Sequence, residues 1–268
     1  MIVFAPAKIN LGLHVLFKRP DGYHEIGTCM KEIPFFDILE ITTSDGFEFL
    51  QTGLSIDSPV DANLCTRAFD LIRKEYNIPN VRIHLRKQIP MGAGLGGGSS
   101  DAVCVLMALV DLFELQVSKD KLLILSAILG SDCPFFVDGG SQIAKGRGEL
   151  LKAIHIDLDS YYLVLLNPGI HIGTKEAYAA ISYSDPLKGI EGVLSQPVST
   201  WKNDLINDFE GIVFESHPSI EEIKKRLYDL GAIYASMSGS GSSVFGLFER
   251  SVSLPKELQN YLVYSGSL

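Results

Sequence analysis

The sequence predicts a mixed fold of strands and helices divided into two domains. Three observations carry this. Short runs such as 9–16 and 81–85 alternate apolar and polar residues with a period of two. Longer stretches such as 61–76 and 99–115 carry apolar stripes at helical spacing. A break near residue 157 precedes the strongly apolar run 161–167. At 268 residues and 46% hydrophobic composition, there is material for a sizeable core in one large domain or two ordinary ones.

In chain order, Ile9, Leu11, Leu13 and Val15 point to one side of a strand, while Lys8, Asn10, Gly12 and His14 point to the other. Such a strand has one buried and one polar face. Pro20-Asp21-Gly22 reads as a tight turn leading to Tyr23 and His24. Residues 38–43 and 46–50 are further strands. Asp61 is placed to cap a helix through Tyr76, with Leu64, Ala68, Leu71 and Ile72 inward. Val81, Ile83 and Leu85 alternate with Arg82, His84 and Arg86 in another strand. A glycine run at 92–98 leads to an apolar helix over 99–115, and Ser118 caps the next, ending near Gly130. Residues 141–151 form a strand with a turn at Gly146. Residues 161–167 form another, punctuated by Pro168-Gly169. A short helix is expected over 174–181, a loop over 184–200, and helices over 203–214 and 219–230. A second glycine-serine loop, 238–243, lies between short strands.

Charge and cysteines exclude several functions. A net charge of −9 argues against nucleic acid or an anionic membrane, which are met by basic faces. The four cysteines are far apart and form no C-x-x-C pair, so neither zinc nor a disulfide framework is expected. Lys8 and Asn10 interrupt the first apolar residues, which argues against a signal peptide. The longest apolar run, 102–110, is about half what a membrane span needs. A soluble, cytoplasmic protein is expected.

The strongest chemical signal is Pro90-Met91-Gly92-Ala93-Gly94-Leu95-Gly96-Gly97-Gly98-Ser99-Ser100, between a predicted strand and a predicted helix. Glycines allow φ > 0 and close approach of the backbone to a ligand. The helix start adds unpaired N–H groups and a positive dipole end, which suits phosphates. Gly92, Gly94 and Gly97 formally satisfy a dinucleotide fingerprint. The carboxylates about twenty residues on, Asp111 and Glu114, fall inside the helix and not at a strand end, which opposes that reading. The Walker spacing also fits, except that Gly98 stands where its lysine belongs. Such a loop recruits a cation from elsewhere, and Lys8 is the candidate.

Three separated segments resemble the GHMP small-molecule kinases: Pro6-Ala-Lys-Ile-Asn-Leu11, the loop Pro90–Ser100, and Met237-Ser-Gly-Ser-Gly-Ser-Ser-Val-Phe245. Within that family Asp21-Gly-Tyr-His-Glu25 and Gly130-Ser-Asp-Cys-Pro-Phe-Phe-Val137 bring the chain closest to the branch whose acceptor is a cytidine diphosphate-linked polyol. The late loop departs from the family pattern, with Ser-Gly-Ser where relatives often carry Thr-Gly-Ala.

The resemblance implies a two-domain α+β architecture with the active site in the cleft between domains. The nucleotide-binding domain is expected over 1–157 and the acceptor-binding domain over 158–268. It implies phosphoryl transfer from ATP, with Mg²⁺, to a hydroxyl of the polyol. That chemistry demands positioning, charge stabilisation and a group to take the acceptor's proton. By resemblance Asp132 is that base, and Lys8 lies near it and the transferring phosphate. Asn10, on the same strand face, orients acceptor or base. ATP lies in the loop Pro90–Ser100, with Asn63 and Lys87 bordering the adenine. Tyr23, His24, Thr174 and Tyr178 hold the cytosine. Ser100 is one possible Mg²⁺ donor, but there is no cage of carboxylates and no metal ligand is assigned. Two alternatives stay open. One is another GHMP kinase acting on mevalonate, homoserine or a sugar, against which the aromatic pair for a nucleobase speaks. The other is a catalytically silent nucleotide-binding regulator, which would need neither Lys8 nor Asp132.

Overall fold

A computed structural model describes residues 1–55, 59–173, 177–178, 181, 183 and 189–268. Two compact units divide the chain. They are interleaved in sequence because two long strands, β1 (Ile2–Lys18) and β2 (His24–Thr43), each begin in one unit and end in the other.

The first unit comprises Met1–Lys8, Pro34–Met91 and Gly96–Gly139. The later half of β2 pairs antiparallel with β4 (Val81–Lys87), which pairs in parallel with β3 (Glu48–Gly53). In β4, Val81, Ile83, Leu85 and Lys87 are buried. Among the described residues four helices complete the unit: α1 (Leu64–Tyr76), α2 (Gly97–Leu112), α3 (Lys119–Leu129) and α4 (Phe135–Asp138). Residues 102–103, 105–106 and 108–109 of α2 are all buried, so the helix is apolar almost all round and central.

The start of α1 differs from expectation. Asp61 lies in one exposed 3₁₀ turn, Val60–Ala62, and Asn63 is the cap, its Oδ1 accepting from the Cys65 N–H at 2.8 Å. A cap stands immediately before the first helical residue, and Asp61 is two places early. Asn63→Ala is therefore expected to cost about 1 kcal/mol of stability, read from the urea midpoint. At α3, Ser118 caps as expected, accepting from the Lys121 N–H at 3.3 Å.

The second unit comprises Ile9–Ile33, Gly92–Leu95 and Gly140–Leu268. Here the first half of β2 pairs antiparallel with β5 (Ser141–Gly146), and β5 with β6 (Leu150–Ala153). A second sheet has the antiparallel order β10-β7-β9-β8, from β7 (Tyr162–Leu166), β8 (Tyr234–Met237), β9 (Val244–Phe248) and β10 (Leu262–Ser267). Val164, Leu166, Ala235, Met237 and Val244 of this sheet share one core with Val213, Ile220, Ile223 and Leu227, and with Leu13 and Val15 of β1.

Three expectations change here. Both faces of β1 are buried, Lys8, Asn10 and His14 included, so its polar side is not a solvated one. The expected loop 184–200 contains, in its described part, a helix α5 (Gly189–Leu194) and a 3₁₀ turn, Val198–Thr200. Six residues with two glycines are too few to show a period, and burial of Ile190, Val193 and Leu194 holds α5 in place. The expected helix 203–214 is broken into α6 (Trp201–Asp204) and α7 (Phe209–Ser216), followed by α8 (Pro218–Asp229). Between α6 and α7 the backbone pairs with β1, with Leu13 N–H to Ile206 O at 2.9 Å and Asp208 N–H to Leu13 O at 2.8 Å. That tertiary pairing overrides the local helical pattern. The expected helix 174–181 falls mostly outside the described residues, of which Ala177 and Tyr178 are helical. No helix among the described residues is long and apolar enough to cross a membrane.

Candidate active site

The first unit holds the expected acid–base pair. Lys8, 3% exposed, comes from β1, and Asp132 from the turn between α3 and α4. Lys8 Nζ lies 3.6 Å from Asp132 Oδ2, and the aspartate side chain is 34% exposed. Burial pulls the lysine pKa down from its ordinary value, and the Asp132 charge opposes that pull. Gly96, with φ +69°, precedes α2. A Cβ there would stand 2.9 Å from the Phe136 ring and 3.1 Å from Lys8 Cγ. Glycine at 96 thus lets the start of α2, the Asp132 turn and Lys8 close on one another. Ser100 N–H donates back to Gly96 O at 2.9 Å, so the first helical bond is already made there.

Further into this unit Lys87 is neither a solvated strand end nor exposed. Its Nζ donates to Asp37 Oδ2 at 2.5 Å and Asp101 Oδ2 at 2.6 Å. Asn63 is 9% exposed and its side-chain oxygen is engaged as the α1 cap. The hydroxyls of Ser100 and Thr66 are buried with no hydrogen-bond partner among the described residues.

The second unit holds the middle of the glycine run and the late glycine-serine loop. Gly94 has φ +77°, and a Cβ would overlap the Ser238 carbonyl. Ser238 Oγ donates to Gly94 O at 2.8 Å and accepts from the Asn10 N–H at 3.2 Å. Ser243 N–H donates to Ala93 O at 3.3 Å. Asn207 Nδ2 holds the late loop from behind, donating to Met237 O and Gly239 O, both at 2.8 Å. The Asn10 amide donates to Thr28 Oγ1 at 3.0 Å. The hydroxyl at position 238 therefore ties the late loop to Gly94 and to Asn10.

The same unit gathers the aromatic residues. His24 stacks on Tyr178 with ring centroids 4.8 Å apart and planes 21° apart, and Phe209 meets Tyr178 edge-on. Tyr23 is 56% exposed, with the Arg147 guanidinium 4.7 Å from its ring centre. Burial, and then the Lys18 charge, lower the His24 pKa, leaving a neutral ring at pH 7 with one donor and one acceptor nitrogen. Thr174 lies outside the described residues. Asp37, Asp101, Arg147, Asn207 and Ser238 are functional candidates that sequence reasoning misses. Only Ser238 had a signal, as part of a glycine-serine run. Among the described residues, no three or more His, Cys, Asp or Glu side chains are grouped to hold a metal ion.

Two family models and several known proteins match this chain. Residues 63–140 match the model of the GHMP kinases N terminal domain, and residues 199–261 that of the GHMP kinases C terminal. The chain is 50% identical over 251 residues to the 4-diphosphocytidyl-2-C-methyl-D-erythritol kinase of Azobacteroides pseudotrichonymphae genomovar. CFP2, covering 93% of this chain and 94% of that one. It is 47% identical to the protein of the same name from Parabacteroides distasonis, over 93% and 92% of the two chains. A crystal structure of 4-(cytidine 5'-diphospho)-2C-methyl-D-erythritol kinase superposes with a TM-score of 0.80 at 36% identity, over 92% of this chain and 90% of that one. Homoserine kinase from Cytophaga hutchinsonii, at 20% identity and a TM-score of 0.67 over 97% and 87%, shares the fold. With a family model on each half and near-full-length relatives up to half identical, this chain belongs to the GHMP kinase family.

Proposed function

We infer that the protein is an ATP-dependent kinase. It transfers the γ-phosphoryl group of ATP to the 2-hydroxyl of 4-diphosphocytidyl-2-C-methyl-D-erythritol, a step of the non-mevalonate route to isoprenoid precursors. The observation that carries this reading is the Lys8–Asp132 pair, 3.6 Å apart beside Gly96 at the start of α2. A binding protein without chemistry has no use for such a pair, and the relatives' shared name supplies the acceptor.

In this reading Asp132 takes the proton as the acceptor oxygen bonds to the γ-phosphorus and the bond to ADP breaks. Lys8 offsets charge on the transferring group. The N–H groups at the start of α2 and the loop Pro90–Ser100 cradle the phosphates. Ser100, whose buried hydroxyl has no hydrogen-bond partner among the described residues, would be the protein donor to Mg²⁺, which would supply positive charge to offset the phosphates. Asn10 orients the acceptor. We assign nucleotide binding to residues 1–157 and most of the acceptor domain to 158–268, with Asn63 and Lys87 supporting the adenine end. The reaction is placed in the cytoplasm.

Cytosine recognition falls to His24, Tyr178 and Tyr23. The neutral His24 ring meets the polar edge of the base, and the tyrosines supply ring faces. Stacking of a base on an aromatic is worth about 1–3 kcal/mol, or roughly 5- to 150-fold in affinity. Tyr23→Ala and Tyr178→Ala are expected to raise acceptor KM by that factor with ATP KM unchanged, while phenylalanine at either site preserves KM. Normal acceptor KM in both alanine variants would remove the tyrosines from recognition. The reaction itself is tested by incubating the protein with ATP, Mg²⁺ and the cytidylated acceptor and locating the new phosphate by ³¹P–¹H correlation. The expected position is the 2-oxygen, and a phosphate elsewhere or none would overturn the assignment.

A further inference from the structure

Beyond the adenine-end role given to Lys87, the charge cluster around it takes no part in the phosphoryl transfer above, and it is costly to bury. Lys87, Asp37 and Asp101 are 1%, 0% and 2% exposed. One ammonium faces two carboxylates, at 2.5 and 2.6 Å. Replacing a buried ion cluster by apolar side chains often leaves stability unchanged or raised, so stability does not explain it.

Its connections explain it better. Asp37 accepts through Oδ1 from the N–H groups of Gln88 and Ile89, at 2.5 and 2.9 Å. Those residues leave β4 and lead into Pro90, the entry of the glycine loop. Asp101 stands one turn inside α2, at the exit of the loop. Lys87 joins the two. A Cβ on Gly97 would stand 2.8 Å from Ile89 Cγ2 and 3.0 Å from Lys87 Nζ, so the glycine lets the first residue of α2 close on both the Ile89 side chain and the ammonium.

We propose that Asp37, Lys87 and Asp101 are positioning residues for ATP, a charged staple that fixes the entry of the phosphate loop against the first turns of α2. The proposal rests on the kinase reading given above. Lys87 then acts on the nucleotide through the backbone it holds. Titration of Asp101 adds a pH dependence to the staple. Burial pushes the Asp101 carboxyl up to about 7, with Lys87 opposing and Asp37 adding to the rise. Burial alone would lower the Lys87 pKa, but the two carboxylates together raise it. Among the described residues the Cys65 thiol also faces the cluster, and burial holds it well above its ordinary value. Because the folded pKa of Asp101 is raised, its contribution to stability is full below the ordinary carboxylate range and is lost as pH rises through about 7. An ionised Asp101 adds negative charge near the helix start that receives the phosphates. ATP affinity should fall over the same interval.

The test is direct binding of Mg²⁺-ATP by calorimetry to the wild type, Asp101→Leu and Asp101→Asn at pH 6 and pH 8, with melting temperatures. Asp101→Leu cuts the link to α2 and leaves Lys87 and Asp37 as a neutral pair. It should melt no lower than the wild type and yet bind ATP at least tenfold more weakly. Asp101→Asn keeps an oxygen for Lys87 and should restore binding to within about threefold at pH 6. It should also lose the excess weakening that the wild type shows at pH 8, a comparison in which ATP's own titration cancels. If Asp101→Leu does not fold, the pH comparison with Asp101→Asn decides. ATP affinities equal to wild type in the folded variants at both pH values would overturn the staple. A wild type that fails to bind Mg²⁺-ATP would instead overturn the kinase reading beneath it.

Discussion

Asp132→Asn is expected to lower kcat by about 10²–10⁴ while ATP affinity stays within a few-fold, because general-base assistance is worth that much and an amide cannot take a proton. The geometry sharpens the expectation. Asp132 is the partly open member of the pair and Lys8 the buried one, so the substitution reaches the chemistry without disturbing a packed interior. The amide also keeps an oxygen facing Lys8 Nζ. A loss in both kcat and kcat/KM, with an unchanged melting temperature, would mark an interaction made in the transition state. Near-normal turnover in the folded variant would remove Asp132 from the mechanism.

Gly94→Ala is the second large effect. At φ +77° any side chain is strained, by about 1–2 kcal/mol. Its Cβ would also run into the Ser238 backbone, which cannot swing aside as a side-chain tip can. The loop must shift, and ATP affinity should fall by about tenfold or more, with the acceptor held within a few-fold. Calorimetry on each ligand separately reads this, and equal losses for both would count against a phosphate cradle. Gly98 is the contrast. A Cβ there meets only Leu64 Cδ1, at 3.8 Å, with no unusual φ. Gly98→Ala should therefore not lose stability, and it gains helix propensity of up to about 1 kcal/mol.

The residues proposed to carry the chemistry were the most legible in the sequence, because each sits in a local pattern. Alternation around Lys8, glycines beside a helix start and the segment around Asp132 can all be read within a few residues of chain. The structure places Lys8 Nζ and Asp132 Oδ2, 124 positions apart in the chain, 3.6 Å from one another. Illegible were the parts that depend on distant chain. Nothing near Lys87 in sequence announces Asp37 or Asp101, since their meeting is fixed by strand pairing and by the position of α2. The helix expected over 203–214 has good local periodicity, yet β1 competes for the same backbone at Leu13 and wins. Burial of the polar face of β1 could not be read either, because alternation reports only that two faces differ, not what covers each.

The central claim is that the site acts on a nucleotide-linked polyol, and comparing kcat/KM across acceptors tests it most directly. ADP release would be measured with ATP and Mg²⁺ against 4-diphosphocytidyl-2-C-methyl-D-erythritol, mevalonate, homoserine and galactose. The account predicts turnover with the cytidylated acceptor at least about 10²-fold above the other three, since they lack the base that His24, Tyr23 and Tyr178 engage. Equal turnover with any acceptor lacking a nucleobase would contradict it.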